Sequence, residues 1–240
     1  MKTSGNRVWL TYVLSDSDVP NALTLCFSLR RVLTSRRLAV IVSPKVSRVS
    51  REALSYGFDF VFTLDEERNT AGLENEDFVK LFALTLQGFE KCVMLSPNML
   101  VVKNCDELLD KEEDVQQTFV FAENGDSSIL RLRPSLQVFN CLLKQLAKRN
   151  GTGVDSILKK WLSDQTSQLT FIDDKYNQHL HEKASFLREE KNIAIVNLKN
   201  KTPHELDYVG EMVLQLWKSI YDKSVLPLLN AVANVRNQLL

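Results

Sequence analysis

Glycine is scarce in this sequence: 8 of 240 residues, about half the usual share of about 7%. Loops that cradle phosphate or let backbone approach a ligand closely are commonly glycine-rich. The shortage therefore disfavours a nucleotide enzyme built on several such loops. An excess of either charge is also lacking, because 30 Lys plus Arg balance 30 Asp plus Glu. A sequence-independent nucleic-acid binder needs a basic surplus to displace counterions, so no nucleic-acid partner is expected. No run of about 18 apolar residues occurs, which argues against a membrane span. The stretch MKTSGNRVWLTYVLSDSD contains no apolar segment leading to a cleavage site, and no signal peptide is expected. Cys26, Cys92, Cys105 and Cys141 form no CxxC pair, which excludes the usual zinc and redox spacings. Buried thiols in a reducing compartment fit this usage, and the expected location is cytoplasmic. No repeat or low-complexity tract is present.

What is present is an ordinary globular composition, 44% apolar and 25% charged, long enough for one large domain or two small ones. Arg7–Leu14 (RVWLTYVL), Leu38–Val42 (LAVIV), Phe58–Leu64 (FDFVFTL) and Lys91–Leu95 (KCVML) read as strands, the first and second as buried ones and the third as alternating. Ala22–Leu33, Ser47–Tyr56 and Asp77–Leu86 have helical spacing, and Asp65–Glu76 reads as a long polar loop. Thr118–Ala122 and Ser128–Leu132 are two further strands. Pro134–Arg149 and Val154–Ser163 are helices, and Phe186 and Ile193–Leu198 mark late strands. From His204 onward the pattern is helical with an interruption at Pro227. Alternation of strands and helices over the first 130 residues predicts βαβ units and a mainly parallel sheet. Ligands of such sheets lie beyond the carboxyl ends of the strands, so the candidate site loops are Ser15–Asp18, Asp65–Glu76 and Ser96–Asn98.

Three stretches carry a resemblance. Leu216–Leu229 (LWKSIYDKSVLPLL), Ala22–Pro44 (ALTLCFSLRRVLTSRRLAVIVSP) and Lys91–Asp110 (KCVMLSPNMLVVKNCDELLD) resemble the glycogenin family of retaining family 8 glycosyltransferases, from about Val8 to about Val232. The resemblance implies a Rossmann-like α/β fold of the GT-A type, with a mainly parallel mixed sheet flanked by helices. It implies a transferase domain over residues 1–204 and a helical extension over 205–240, packed on that domain or at a dimer interface.

The family's chemistry needs anionic ligands for a divalent cation that neutralises the leaving UDP diphosphate. Its Asp-x-Asp motif falls here on Ser96, Pro97 and Asn98, and its ligand His on Asn197, so the former metal positions carry no charge. The uridine loop falls on Leu14, Ser15, Asp16, Ser17 and Asp18, beside Tyr12. The sugar loop falls on Asp126, Ser127 and Ser128, and the acceptor-side segment on Gly153, Val154, Asp155 and Ser156. The end of the last motif falls on Asn200, Thr202, Pro203 and His204. Glycines of the family become Ser128, Ser156 and Asn200. Lys80 keeps the place of a sugar-nucleotide lysine. Tyr176 lies near the region where the family's glucosylated tyrosine falls, without a clear match. Asp173, Asp174, His179 and His181 are metal-capable in type but match no standard spacing.

The resemblance thus implies a glycogenin-like protein of glycogen biosynthesis with a degenerate UDP-sugar pocket, a non-catalytic paralogue acting as scaffold or regulator. No cofactor is expected of it. A homodimer or a heterodimer with glycogenin is the implied assembly, and glycogen synthase is a further candidate partner. The alternative is an active UDP-glucose-dependent transferase with a metal-poor site, using Lys80, Lys199 and Lys201 against the diphosphate, and Mn²⁺ or Mg²⁺ if the metal site survives; Asp155 is then a catalytic candidate beside Lys80. A protein-interaction domain outside glycogen metabolism is the third reading.

Overall fold

The computed structural model describes residues 6–70, 72, 75–110, 119–121, 127–148, 154–165, 171–179, 193–198 and 208–239. Strands β1 (Arg7–Val13), β2 (Arg37–Val42), β3 (Phe60–Thr63) and β4 (Lys91–Leu95) alternate with helices α1 (Val19–Arg31), α2 (Arg48–Gly57) and α3 (Asn75–Phe82). Then come β5 (Met99–Val101), α4 (Glu107–Asp110), β6 (Phe119–Phe121), β7 (Ile129–Leu132), α5 (Leu136–Ala147) and α6 (Val154–Gln165). The chain continues through β8 (Gln178–His179), β9 (Ile195–Asn197), α7 (Tyr208–Ile220) and α8 (Leu226–Leu239).

The main sheet has the order β3-β2-β1-β4-β7-β6. β1 pairs in parallel with β2 and β4, and β2 with β3, while β7 runs antiparallel to both β4 and β6. This is the expected mainly parallel mixed α/β sheet. Successive side chains of a strand face opposite sides, so both sides of β1 enter cores. Trp9 and Val13 pack with α1, α2 and Tyr176, whereas Val8, Leu10 and Tyr12 pack with α3, α5 and α6. Burial on both faces explains why β1, β2 and β4 read as continuous apolar runs. A smaller sheet has the order β5-β9-β8.

Several local expectations shift. The Asp65–Glu76 loop contains a 3-10 turn at Glu66–Arg68, and α3 starts within its last two residues. β5 and α4 were not read as elements in the sequence; both are a single turn or three residues long. α5 begins at Leu136 behind Ser135, whose hydroxyl accepts from the Val138 amide, rather than at Pro134. The expected break at Pro227 lies one turn earlier. α7 passes into α8 through a π segment at Tyr221–Val225, and the helix runs on across the proline. Proline lacks the amide hydrogen and crowds the carbonyl four residues back, and the wider π turn is where that carbonyl, on Lys223, is accommodated. Val225 and Val232 join the core beneath α1 and α2, and Val213 and Ile220 pack against Leu100, Val196 and Phe27. Phe186 and residues 204–207 lie outside the described residues.

Cys26, Cys92 and Cys105 are buried as expected, but Cys141 is exposed. The buried stripe of α5 is Phe139, Leu142, Leu143 and Leu146, and position 141 falls off it. Burial pushes the Cys26 thiol up to about 12. Among the described residues no helix is long and apolar enough to cross a membrane.

Candidate functional site

β1 is the point where the strand order reverses, with β2 on one side and β4 on the other. In α/β sheets ligands bind beyond the carboxyl ends of the strands at such a point. Tyr12 is near the end of β1 and only 7% exposed. Its hydroxyl donates to Glu76 Oε1 of α3 at 3.4 Å and is also bonded to the Ser96 side chain. Burial, then the Glu76 charge, holds its pKa well above the usual tyrosine value. The Ser96 amide donates to Ser128 O at 2.7 Å, which ties the β4 loop to the turn before β7.

Ser127, in that turn, donates its hydroxyl to Asp155 Oδ2 at 2.6 Å. Lys80 Nζ of α3 donates to Ser127 Oγ at 2.8 Å and to Asp155 Oδ1 of α6 at 3.3 Å, with Asp77 Oδ1 at 3.7 Å. Lys80 is 6% exposed. The amphipathic pattern of α3 suggests a lysine on a solvated face, yet it points inward, where two carboxylates face it. Tyr12, Ser96, Ser127, Ser128, Lys80 and Asp155 thus form one continuous chain of contacts, assembled from five elements. Asp77 and Glu76 belong to it and were missed as site residues. Their spacing of three and four from Lys80 was the available signal.

Backbone pairing brings together Asn98 and Asn197, two of the positions that the resemblance aligns with metal ligands. Met99 pairs with Asn197 across β5 and β9, and the Leu198 amide donates to Asn98 O at 2.8 Å. Their side chains make amide pairs instead of an anionic cage. Asn98 Oδ1 accepts from Asn21 Nδ2 at 2.9 Å, and fully buried Asn197 donates through Nδ2 to Asn177 Oδ1 at 3.3 Å. A hydroxyl and two amides do not match the carboxylate set that a hard divalent cation requires. Among the described residues no group of three His, Cys, Asp or Glu side chains is arranged to hold a metal. His179 pairs with Asn197 across β8 and β9; His181 and the Asp174 side chain lie outside the described residues.

Asp16 and Asp18, which the resemblance aligns with a uridine loop, make local hydrogen bonds. Asp18 Oδ2 accepts from the amides of Leu14 and Ser15 and from the Ser15 hydroxyl. Asp16 Oδ1 accepts from the Ser47 amide ahead of α2, which together with the Ser50 and Ser47 hydroxyls lowers its pKa. Leu14 packs against the α3 core. Tyr176 is 6% exposed with its hydroxyl donated to Glu107 Oε1 at 2.7 Å. A phenol so engaged is poorly placed to accept a sugar. Ser156 is exposed on α6. Asp126, Gly153, Lys199, Asn200, Lys201, Thr202 and Pro203 lie outside the described residues.

No family model matches the chain. Rabbit (Oryctolagus cuniculus) glycogenin-1 is 26% identical over 97% of this chain and 80% of its own length. Human glycogenin-2 is 27% identical over 96% of this chain and 53% of its own length. Over nearly its whole length this chain is similar to glycogenin. A solved galactosyltransferase, LgtC in complex with donor and acceptor sugar analogues, superposes with a TM-score of 0.63 at 12% identity, covering 88% of this chain and 95% of that one. The fold is therefore that of the GT-A glycosyltransferases. The side chains of Ser96, Asn98 and Asn197, which the resemblance aligns with metal ligands, are all neutral.

Proposed function

We propose that this glycogenin-like chain is a non-catalytic member of the glycogen pathway that acts as a scaffold or regulator. It would do so in the cytoplasm by pairing with a second copy of itself or with an active glycogenin, through residues 205–240. The observation that carries the reading is the closure of Lys80 on Ser127 and Asp155. A lysine that meets a diphosphate acts as an exposed point charge; this one is 6% exposed and neutralised within the chain. The amide pairs at Asn98 and Asn197 support the same reading, because a cation held by neutral oxygens loses most of the charge attraction.

Incubation with radiolabelled UDP-glucose, with and without Mn²⁺, tests this proposal. No label is expected on the protein or on a soluble acceptor, and calorimetry with UDP should show no metal-dependent heat. Label at an ordinary enzymatic rate, abolished by Lys80→Ala, would falsify the proposal in favour of a metal-poor transferase. Co-purification of glycogenin or glycogen synthase with the tagged chain is the expected partner result. Absence of both would move the function outside glycogen metabolism.

A further inference from the structure

A second polar site lies on the other face of the main sheet. Leu130 and Leu132 of β7 pack with Phe78 of α3, so Arg131 between them points to the opposite side. There, α4, β7 and the 171–176 segment enclose a cavity of about 280 Å³ lined by Arg131, Lys175, Glu107, Asp173, Phe171 and Tyr176, among others.

Two of these groups are cations from separate elements. Arg131 is 3% exposed and donates through Nη1 to Leu108 O at 3.2 Å. Burial, with Arg133 beside it, brings its pKa down to about 10. An anion in the cavity would offset the cost of holding a guanidinium there. The Lys175 ammonium lies 4.7 Å over the Tyr176 ring, which fixes it at the cavity wall. The two carboxylates are each anchored by one oxygen. Glu107 Oε1 accepts the Tyr176 hydroxyl, and Asp173 Oδ1 accepts the Lys175 amide at 2.9 Å. A carboxylate has a second oxygen with acceptor capacity, which suits sugar hydroxyls. Phe171, 46% exposed, offers an apolar ring face. The volume falls just below the roughly 300 Å³ at which sites for drug-sized ligands begin, which limits the occupant to about one ring and excludes a nucleotide sugar.

We propose that this cavity binds a small phosphorylated polyol, with the phosphate on Arg131 and Lys175 and the hydroxyls on Glu107 and Asp173. The guanidinium fork matches phosphate geometry, and the carboxylates discriminate for hydroxyl donors.

Calorimetry on the full chain with glucose 6-phosphate, inorganic phosphate and glucose as probes tests the assignment. The hexose phosphate should give saturable heat, inorganic phosphate should bind about tenfold more weakly, and glucose should give none. Lys175→Gln, at a partly exposed position, should weaken hexose phosphate binding about tenfold, the usual cost of one charge-assisted hydrogen bond. Arg131→Lys, which keeps the charge but not the fork, should act in the same direction, with circular dichroism confirming the fold. Ser127→Ala, in the Lys80 cluster, should change nothing. The proposal is overturned if the hexose phosphate gives no saturable heat or inorganic phosphate binds equally well. It is also overturned if Lys175→Gln keeps full affinity or Ser127→Ala abolishes binding.

Discussion

The two ends of the main sheet each carry a polar knot, and the knots differ in kind. At the amino end, Asp106 takes four hydrogen bonds from neutral donors. Its Oδ1 accepts from Trp9 Nε1 at 3.1 Å and Thr34 Oγ1 at 2.6 Å, and its Oδ2 accepts from the Ser35 amide at 2.8 Å and the Ser35 hydroxyl at 2.9 Å. One carboxylate thus pins β1, the α1–β2 turn and the start of α4. At the carboxyl end, Lys80 is met by Asp155 and Asp77, and charges cancel. The first arrangement keeps a charge because the framework needs its acceptors. In the second, the lysine's charge is met within the chain. One knot ties framework elements together, and the other pairs a buried lysine with carboxylates inside the chain.

The comparison breaks most sharply at Asp106. Asp106→Ala leaves two hydroxyls and an amide without their acceptor and the Trp9 indole with only Thr34 Oγ1 at 3.2 Å, and the expected cost is about 3 kcal/mol by chemical denaturation. A loss under about 1 kcal/mol would mean that the amino-end knot is not a framework device. The same residue sets an acid limit. Although partial burial works the other way, its hydrogen bonds hold the native pKa below the usual carboxylate value of about 3.9. A depressed native value contributes stability that is present above about pH 4 and is lost as the pH falls through the native pKa. Below about pH 4, Asp106→Asn should therefore lose stability less steeply than the wild type.

At the other end, a double-mutant cycle separates pairing from ligand capacity. Lys80→Met leaves Asp155 and Asp77 facing each other. Removing one partner of a fully buried pair costs several kcal/mol, but the Asp155 side chain is 38% exposed, so about 1–2 kcal/mol is expected after screening. With Asp155→Asn as the second arm, a coupling of about 1 kcal/mol is expected. Zero coupling would show that the contact is incidental and that Lys80 is available to a ligand after all.

What the sequence revealed of these two ends depends on distance along the chain. β1, β2, β4, α1 and α2 are legible because burial imposes a period within about ten residues. β5 was not, since its three residues become a strand only by pairing with β9, about 96 positions away. The α7–α8 irregularity was legible in kind, from Pro227, but its place was not, because the π turn adjusts the backbone before the proline. In the site, Lys80, Ser127, Asp155, Ser96, Asn98 and Asn197 were each singled out through resemblance to glycogenin. Their mutual bonding was not readable, because Lys80 and Asp155 lie 75 residues apart. Asn21 and Asn177, which occupy the amides of Asn98 and Asn197, carried no signal, since an amide pair has no spacing rule.

Those amide pairs give the smallest and most discriminating test. In Asn98→Asp, the new carboxylate still accepts from Asn21 Nδ2, because the existing bond uses Asn98 as the acceptor. Stability should therefore move by no more than about 0.5 kcal/mol. What changes is one negative charge at a point that the β5–β9 pairing brings beside Asn197. A site of one carboxylate and neutral oxygens binds divalent cations weakly, with Kd on the order of 10⁻³ M. Titration of Mn²⁺ by its electron paramagnetic resonance signal should detect binding that is stronger in the variant than in the wild type and in Asn98→Ala. If so, backbone geometry at the carboxyl end is intact and only side-chain charge distinguishes it from a working metal site. If the variant responds to Mn²⁺ no better than Asn98→Ala, the backbone itself does not form a metal site, and the difference between the two ends extends beyond the charge of their side chains.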